Sequence, residues 1–115
     1  KLTNLVKYLS LQNLNIIISA NLTSQKYRNW CKKNIKNFLE IFIDSSLEEL
    51  LKRDYKKLYY RAINKKIKNV VGVDIPFKKP LNPHLILKNS GTKKELYKNI
   101  SKISKELKKR KIKIF

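Results

Sequence analysis

Cationic and tyrosine side chains crowd one stretch of the chain, residues 53–80, which we call the basic lid. It reads RDYKKLYYRAINKKIKNVVGVDIPFKKP. Lys and Arg neutralise phosphate or sulfate oxygens, and Arg does so with paired hydrogen bonds. A long irregular stretch inside a small domain is usually functional or disordered. We therefore interpret the basic lid as a segment that closes over an anionic ligand.

The chain lacks the sequence that would cradle a phosphate group for transfer. A phosphate-binding loop needs the pattern G-x-x-x-x-G-K-[ST], whose backbone N–H groups point at the phosphates. Gly72 and Gly91 are the only glycines, and neither belongs to such a run. We therefore assign no catalytic residue and no metal ligand within this chain.

Length and composition describe one small domain. The chain has 115 residues, of which 42% are hydrophobic, enough for a core. No apolar run reaches the roughly 20 residues that span a bilayer, so we expect no membrane insertion. Cys31 is the only cysteine, which excludes an internal disulfide and fits a reducing compartment. We expect a cytoplasmic protein.

The formal net charge of +20 raises the question of nucleic-acid binding. The basic residues are spread along the chain, and Lys, Asn and Ile are all abundant, as an AT-rich coding sequence would produce. We therefore expect salt-sensitive adhesion to polyanions but no specific nucleic-acid partner. A non-catalytic basic module that binds nucleic acid stays open as an alternative function.

Hydrophobic spacing predicts helices over residues 2–12, 24–35, 56–63 and in the last part of the chain. Ser45 with Glu48, and Thr92 with Glu95, have the spacing of capping boxes at two helix starts. Residues 111–115 are compatible with a short strand or a loose tail. Prolines exclude regular structure over residues 76–83.

Three short apolar runs predict strands over residues 14–18, 38–43 and 84–87. Their alternation with helices predicts an α/β fold with three mostly parallel strands and flanking helices. Ligands bind beyond the carboxyl ends of such strands. For Trp30 and His84 we expect packing roles rather than catalytic ones.

The basic lid resembles the adenylylsulfate kinase family. The family pattern is R-D-x-K-G-L-Y-x-x-A-x-x-G-x-I-K, followed by a G-[IV]-D turn and a proline. The residues of this chain at matching places are Arg53, Asp54, Lys56, Leu58, Tyr59, Ala62, Ile67, Lys68, Gly72, Asp74 and Pro76. The resemblance runs over nearly the whole chain, residues 1–106.

The resemblance implies one partial domain over residues 1–115, the C-terminal part of a P-loop kinase fold without its phosphate-binding half. The sheet order of such kinases is 2-3-1-4-5, so this chain would supply strands three, four and five. The strand between residues 14–18 and 38–43 would then be missing. Those two strands would either close on each other or keep open edges, with exposed apolar surface and low stability.

The resemblance implies an ATP-dependent transferase that phosphorylates the 3′-hydroxyl of adenylyl sulfate in sulfate assimilation. ATP and Mg²⁺ would be held mainly by the missing half, so we expect this chain alone to be inactive. The implied partner is the small nucleotide substrate, and a homodimer stays open. The alternative is a kinase of the same branch that acts on another nucleotide or a sugar-linked acceptor.

By the same resemblance, Lys56 contacts the acceptor. Two further pairs of residues also stand at acceptor-contacting positions of the family: Asn69 with Val70, and Asn21 with Leu22. Two arginines of the lid, Arg53 and Arg61, are expected to contact ATP phosphates or the transferred charge.

The lid departs from the family pattern at several of these places. Val70 stands where many members have a Phe that stacks on adenine, and Leu22 replaces a serine. Lys57 and Lys65 replace two glycines of the pattern. These departures make a nucleotide-type acceptor a firmer expectation than adenylyl sulfate itself.

Overall fold

The structure is a computed structural model that describes residues 2–112. Within that range it contains five helices and two strands. The helices are α1 (Leu2–Ser10), α2 (Gln25–Asn34), α3 (Leu47–Lys52), α4 (Leu58–Ile63) and α5 (Lys93–Lys109), and the strands are β1 (Ile41–Asp44) and β2 (Leu85–Lys88). The helices and the last two strands therefore lie within a few residues of their predicted places. Residues 113–115 of the undecided C-terminal segment lie outside the described residues.

The two strands form a parallel pair, which confirms the α/β prediction. Ile41 lies opposite Leu85, and Asp44 lies opposite Lys88. Leu87 is 1% exposed and forms the centre of the small core. Helix α5 covers β2, and the Asn99 side chain donates a hydrogen bond to the Lys88 carbonyl at 2.7 Å. The carboxyl ends of both strands therefore meet at one edge of the molecule.

The predicted strand over residues 14–18 is not formed in the part of the chain that the structure describes. Its residues pair with no strand, and Ile17 is 89% exposed. An isolated strand gains no ladder hydrogen bonds, so its β-branched composition alone does not fix it. Residues 14–18 have not closed on β1, and within residues 2–112 the β1 edge away from β2 pairs with no strand.

The first capping box is displaced by one residue from its predicted place. The Ser46 hydroxyl, not that of Ser45, accepts the N–H of Glu49 at 3.2 Å and begins α3. Ser45 instead donates its hydroxyl to the Asn89 carbonyl at 3.2 Å and joins the ends of β1 and β2. Two adjacent serines before two adjacent glutamates make either register possible from spacing alone, and the link to Asn89 selects the later one.

The second predicted capping box is confirmed at its N-cap, Thr92, but its Glu95 carboxylate binds Ser90 rather than the Thr92 N–H. The Thr92 hydroxyl accepts the N–H of Glu95 at 3.2 Å and begins α5. The Glu95 carboxylate reaches back to the Ser90 hydroxyl, and that hydrogen bond is the main reason its pKa is lowered. The turn that leaves β2 is therefore tied to the helix that follows it.

Residues 76–83 are irregular, as the prolines predict, and lie on β1. Phe77 stacks on Phe42 with 5.8 Å between ring centroids. The Lys79 Nζ lies 3.0 Å from Asp44 Oδ1. No helix within residues 2–112 is both long enough and apolar enough to cross a bilayer.

Candidate active site

Arg53 lies at the carboxyl end of the strand pair, where α/β folds place their ligands. Its Nη2 donates to the Asn89 carbonyl at 2.8 Å, and its Nε donates to the Glu49 carbonyl at 3.2 Å. The same side chain lies over Gly91, where an added Cβ would come 3.6 Å from the Arg53 guanidinium. Arg53 thus fixes the end of α3 against the turn after β2.

Asp54 fixes the start of α4. Its carboxylate oxygens accept the N–H groups of Leu58 at 2.7 Å and Tyr60 at 2.8 Å. A carboxylate at a helix start satisfies otherwise unpaired donors and favours the positive end of the helix dipole. Asp54 therefore caps α4.

An open cleft of about 370 Å³ lies between α3 and the start of α4. Arg53 and Lys56 both line it, together with the rings of Tyr55 and Tyr59. Tyr55 is 97% exposed. Two of the predicted anion-contacting cations therefore share one cleft, and the rings beside them offer flat apolar surface. Such a cleft suits an anionic ligand that also carries a planar group.

The turn at residues 69–74, inside the basic lid, is held by Asp74. Its carboxylate accepts the N–H of Val70 at 2.6 Å and that of Asn69, and these two hydrogen bonds lower the pKa of Asp74. Asn69 has a φ of 66°, a left-handed conformation that Asn tolerates well. Val70 is 7% exposed. The turn therefore presents Asn69 to solvent and turns Val70 inward.

The loop that carries Asn21 and Leu22 is tied down by a buried arginine of α2. Arg28 is 3% exposed and donates from Nη1 to the Leu22 carbonyl. Its Nη2 donates to the Lys78 carbonyl at 3.2 Å, and its Nε donates to Gln25 Oε1 at 3.2 Å. One side chain thus joins the loop of two predicted site residues to the C-terminal part of the basic lid.

Glu40 supplies the negative charge for this arginine. Its Oε1 lies 3.6 Å from Arg28 Nε, and its Oε2 lies 3.0 Å from Lys32 Nζ. The Glu40 carboxylate is 9% exposed, so the pair is held away from water. A buried arginine would be costly without such a partner. Sequence reasoning missed both Arg28 and Glu40, because their contacts span loops distant in sequence.

His84 has the structural role that the sequence predicted. Its Nδ1 accepts the N–H of Glu40 at 2.8 Å, so the proton of the neutral ring is on Nε2. Burial is the main cause that lowers the pKa of His84, and the positive charges of Arg110 and Lys32 add to it. A neutral His84 therefore links the N-terminal ends of β1 and β2.

The remaining site residue, Arg61, lies on the exposed side of α4 and does not line the cleft of Arg53 and Lys56. Among residues 2–112, no three or more His, Cys, Asp or Glu side chains form a group that could hold a metal ion. The acceptor-contacting and ATP-contacting roles of the seven site residues stay predictions.

Comparison with known proteins matches residues 1–88 to the adenylylsulphate kinase family. The cytidine diphosphoramidate kinase of Campylobacter jejuni is 39% identical over 90 residues, which are 78% of this chain and 52% of that protein. The adenylyl-sulfate kinase of Picosynechococcus is 35% identical over 92 residues, which are 80% of this chain and 51% of that protein. The probable adenylyl-sulfate kinase of Pseudomonas aeruginosa is 32% identical over 88 residues, 76% of this chain and 41% of that protein.

The chain thus spans about half the length of the curated relatives that it matches. The matched family residues include the lid, the turn and the loop whose geometry is described above. The chain therefore belongs to the adenylylsulphate kinase family.

Proposed function

We propose that this chain forms the acceptor-binding side of a kinase domain that transfers the γ-phosphoryl group of ATP to a hydroxyl of a nucleotide. The observation that carries the proposal is the cleft shared by Arg53 and Lys56 at the carboxyl end of the parallel strands. Phosphoryl transfer depends mainly on positioning and on charge stabilisation, and this cleft supplies cations for both.

The roles of the residues follow from their positions. The ammonium group of Lys56 neutralises acceptor oxygens, since it is exposed in the cleft beside the capped start of α4. Arg53 is held by two carbonyls and supplies a fixed positive charge at the strand ends. ATP and Mg²⁺ would be held by a phosphate-binding half outside residues 1–115, so the transfer step itself uses groups that this chain does not provide.

Two acceptors are compared because the relatives include a cytidine diphosphoramidate kinase and an adenylyl-sulfate kinase. Adenylyl sulfate and cytidine diphosphoramidate are both nucleoside 5′-phosphates joined to a second tetrahedral acid group. The matching lid residues support adenylyl sulfate as the acceptor. The inward-facing Val70 offers no ring to stack on adenine, which removes one reason to favour a purine. The 39% identity to a cytidine diphosphoramidate kinase then supports the cytidine compound. We propose that the acceptor carries a pyrimidine base.

A two-acceptor assay tests this proposal. A complete kinase domain that contains residues 1–115 is given ATP and Mg²⁺ with either adenylyl sulfate or cytidine diphosphoramidate, and ADP release is followed. We expect a higher kcat/KM for the cytidine compound. A preference for adenylyl sulfate would overturn the pyrimidine assignment, and turnover of neither would contradict the nucleotide-kinase proposal as a whole.

A further inference from the structure

Arg28 is the most completely enclosed cation in the described part of the chain, and it contacts segments from four places in the sequence. Its guanidinium reaches Leu22, Gln25 and Lys78 through hydrogen bonds and Glu40 through an ion pair. No solvent-exposed face is left for a ligand, since only 3% of the residue is accessible. Its function must therefore act through the groups that it holds.

Two of its contacts are anchored independently. Lys78 lies between Phe77, which stacks on Phe42, and Lys79, which pairs with Asp44. Glu40 is fixed by the backbone link to His84 and precedes β1 directly. The strand pair and residues 77–79 of the basic lid therefore form a rigid frame, to which Arg28 is attached.

The Leu22 carbonyl has no comparable anchor. Residues 14–24 form no helix or strand. The Leu22 N–H donates to the Ala20 carbonyl at 3.1 Å, and the Ser24 carbonyl accepts the Arg28 N–H at 3.4 Å, so both bonds join residues close in sequence. The Arg28 guanidinium ties the Leu22 carbonyl to the frame.

We propose that Arg28 is a positioning residue that holds the loop of Asn21 and Leu22 at a fixed distance from the bound acceptor. The inference rests on the proposed function, because that function makes this loop part of the acceptor site. The planar guanidinium group is essential to this role, since it contacts two carbonyls and a carboxylate at once. Lysine carries the same charge but has one nitrogen, so it keeps the ion pair with Glu40 and releases the loop.

The test is Arg28→Lys in a complete kinase domain that contains residues 1–115. We expect the KM for the acceptor to rise about tenfold, which corresponds to the loss of one to two hydrogen bonds. The KM for ATP should stay within about twofold of the wild-type value. Backbone order parameters from NMR relaxation should fall in residues 20–24 and stay unchanged in α5.

The matched control is Arg110→Lys. Arg110 is also a partly buried arginine with a carboxylate partner, Glu106 at 2.6 Å, and a carbonyl contact to Phe38. It lies at the end of α5, so its replacement should change neither the acceptor KM nor the order parameters of residues 20–24.

Two results would overturn the role of Arg28: unchanged order parameters in residues 20–24, or an equal rise in the KM for acceptor and for ATP. A wild-type domain that phosphorylates no nucleotide would contradict the proposed function instead. In that case the order parameters alone decide whether Arg28 holds the loop, because they need no turnover.

Discussion

Lys57 and Lys65 both adopt a backbone conformation that suits glycine. Their φ angles are 52° and 56°, in the left-handed region that costs a residue with a Cβ roughly 1–2 kcal/mol. Both stand where the family pattern has glycine. The chain therefore keeps the backbone path of a glycine-containing lid while it carries lysines, and it gains two positive charges at the expense of local strain.

This strain gives a direct prediction. We expect Lys57→Gly and Lys65→Gly each to raise the free energy of unfolding by about 0.5 kcal/mol, because relief of the left-handed strain outweighs the added chain entropy. Urea titration of a complete kinase domain that contains residues 1–115, followed by circular dichroism, measures the change in the free energy of unfolding. Lys66→Gly is the control, since Lys66 is not among the residues with positive φ, and it should lower stability. Equal effects at all three positions would refute the strain argument.

At the scale of elements, the parallel strand pair depends on a neutral histidine. The Nδ1 of His84 can accept the N–H of Glu40 only while it carries no proton. Because its pKa in the folded chain lies below the unfolded value, the stabilisation is fully present above about pH 6.5 and is lost as the pH falls through the folded value. The carboxylates whose pKa is lowered, such as Asp74, act in the same direction but at lower pH.

We therefore expect the melting temperature of a complete kinase domain that contains residues 1–115 to fall between pH 7 and pH 5, before the carboxylates titrate. His84→Asn should remove most of this dependence, because an amide oxygen can accept the same N–H and does not titrate in this range. Thermal melts at half-unit pH steps measure both proteins. The same slope in the variant would show that His84 is not its source.

The elements show how far sequence reasoning reaches. Spacing of apolar residues located α2 and α5, and apolar runs located β1 and β2, since these signals are local. The run over residues 14–18 had the same composition but formed no strand, because a strand needs a neighbour that composition cannot provide.

The candidate site likewise contains residues that the sequence indicated and residues that it did not. The motif in the lid indicated Lys56 and Arg53, and the structure places both in one cleft. Arg28 and Glu40 carried no such signal. Their partners lie up to 50 residues away, and only the folded chain brings the Lys78 carbonyl to the Arg28 guanidinium.

The whole molecule is open for its size. Its radius of gyration is 16.2 Å, against about 13 Å for a compact domain of this length. Its accessible surface is 9746 Å², against about 6,600 Å² for a typical folded monomer. In the described part, the buried apolar residues are Cys31, Ile35, Ala62, Val70 and Leu87, and of these only Leu87 is fully buried. Such a core offers little to offset the entropy of folding.

We accordingly expect the 115-residue chain alone to unfold in a broad, weakly cooperative transition and to bind apolar dyes. Differential scanning calorimetry, together with dye fluorescence, measures both. A complete kinase domain that contains these residues is the comparison and should melt sharply. A sharp cooperative transition of the isolated chain would show that these helices and two strands are a self-sufficient fold.

The most direct measurement is the acceptor kinetics of Lys56→Ala in a complete kinase domain, with Lys94→Ala, an exposed lysine of α5, as the control. Loss of a charge-assisted contact should lower kcat/KM for the nucleotide acceptor about tenfold to a hundredfold, while Lys94→Ala stays near the wild-type value. Equal kcat/KM in Lys56→Ala and wild type would contradict the assignment of this cleft to the acceptor.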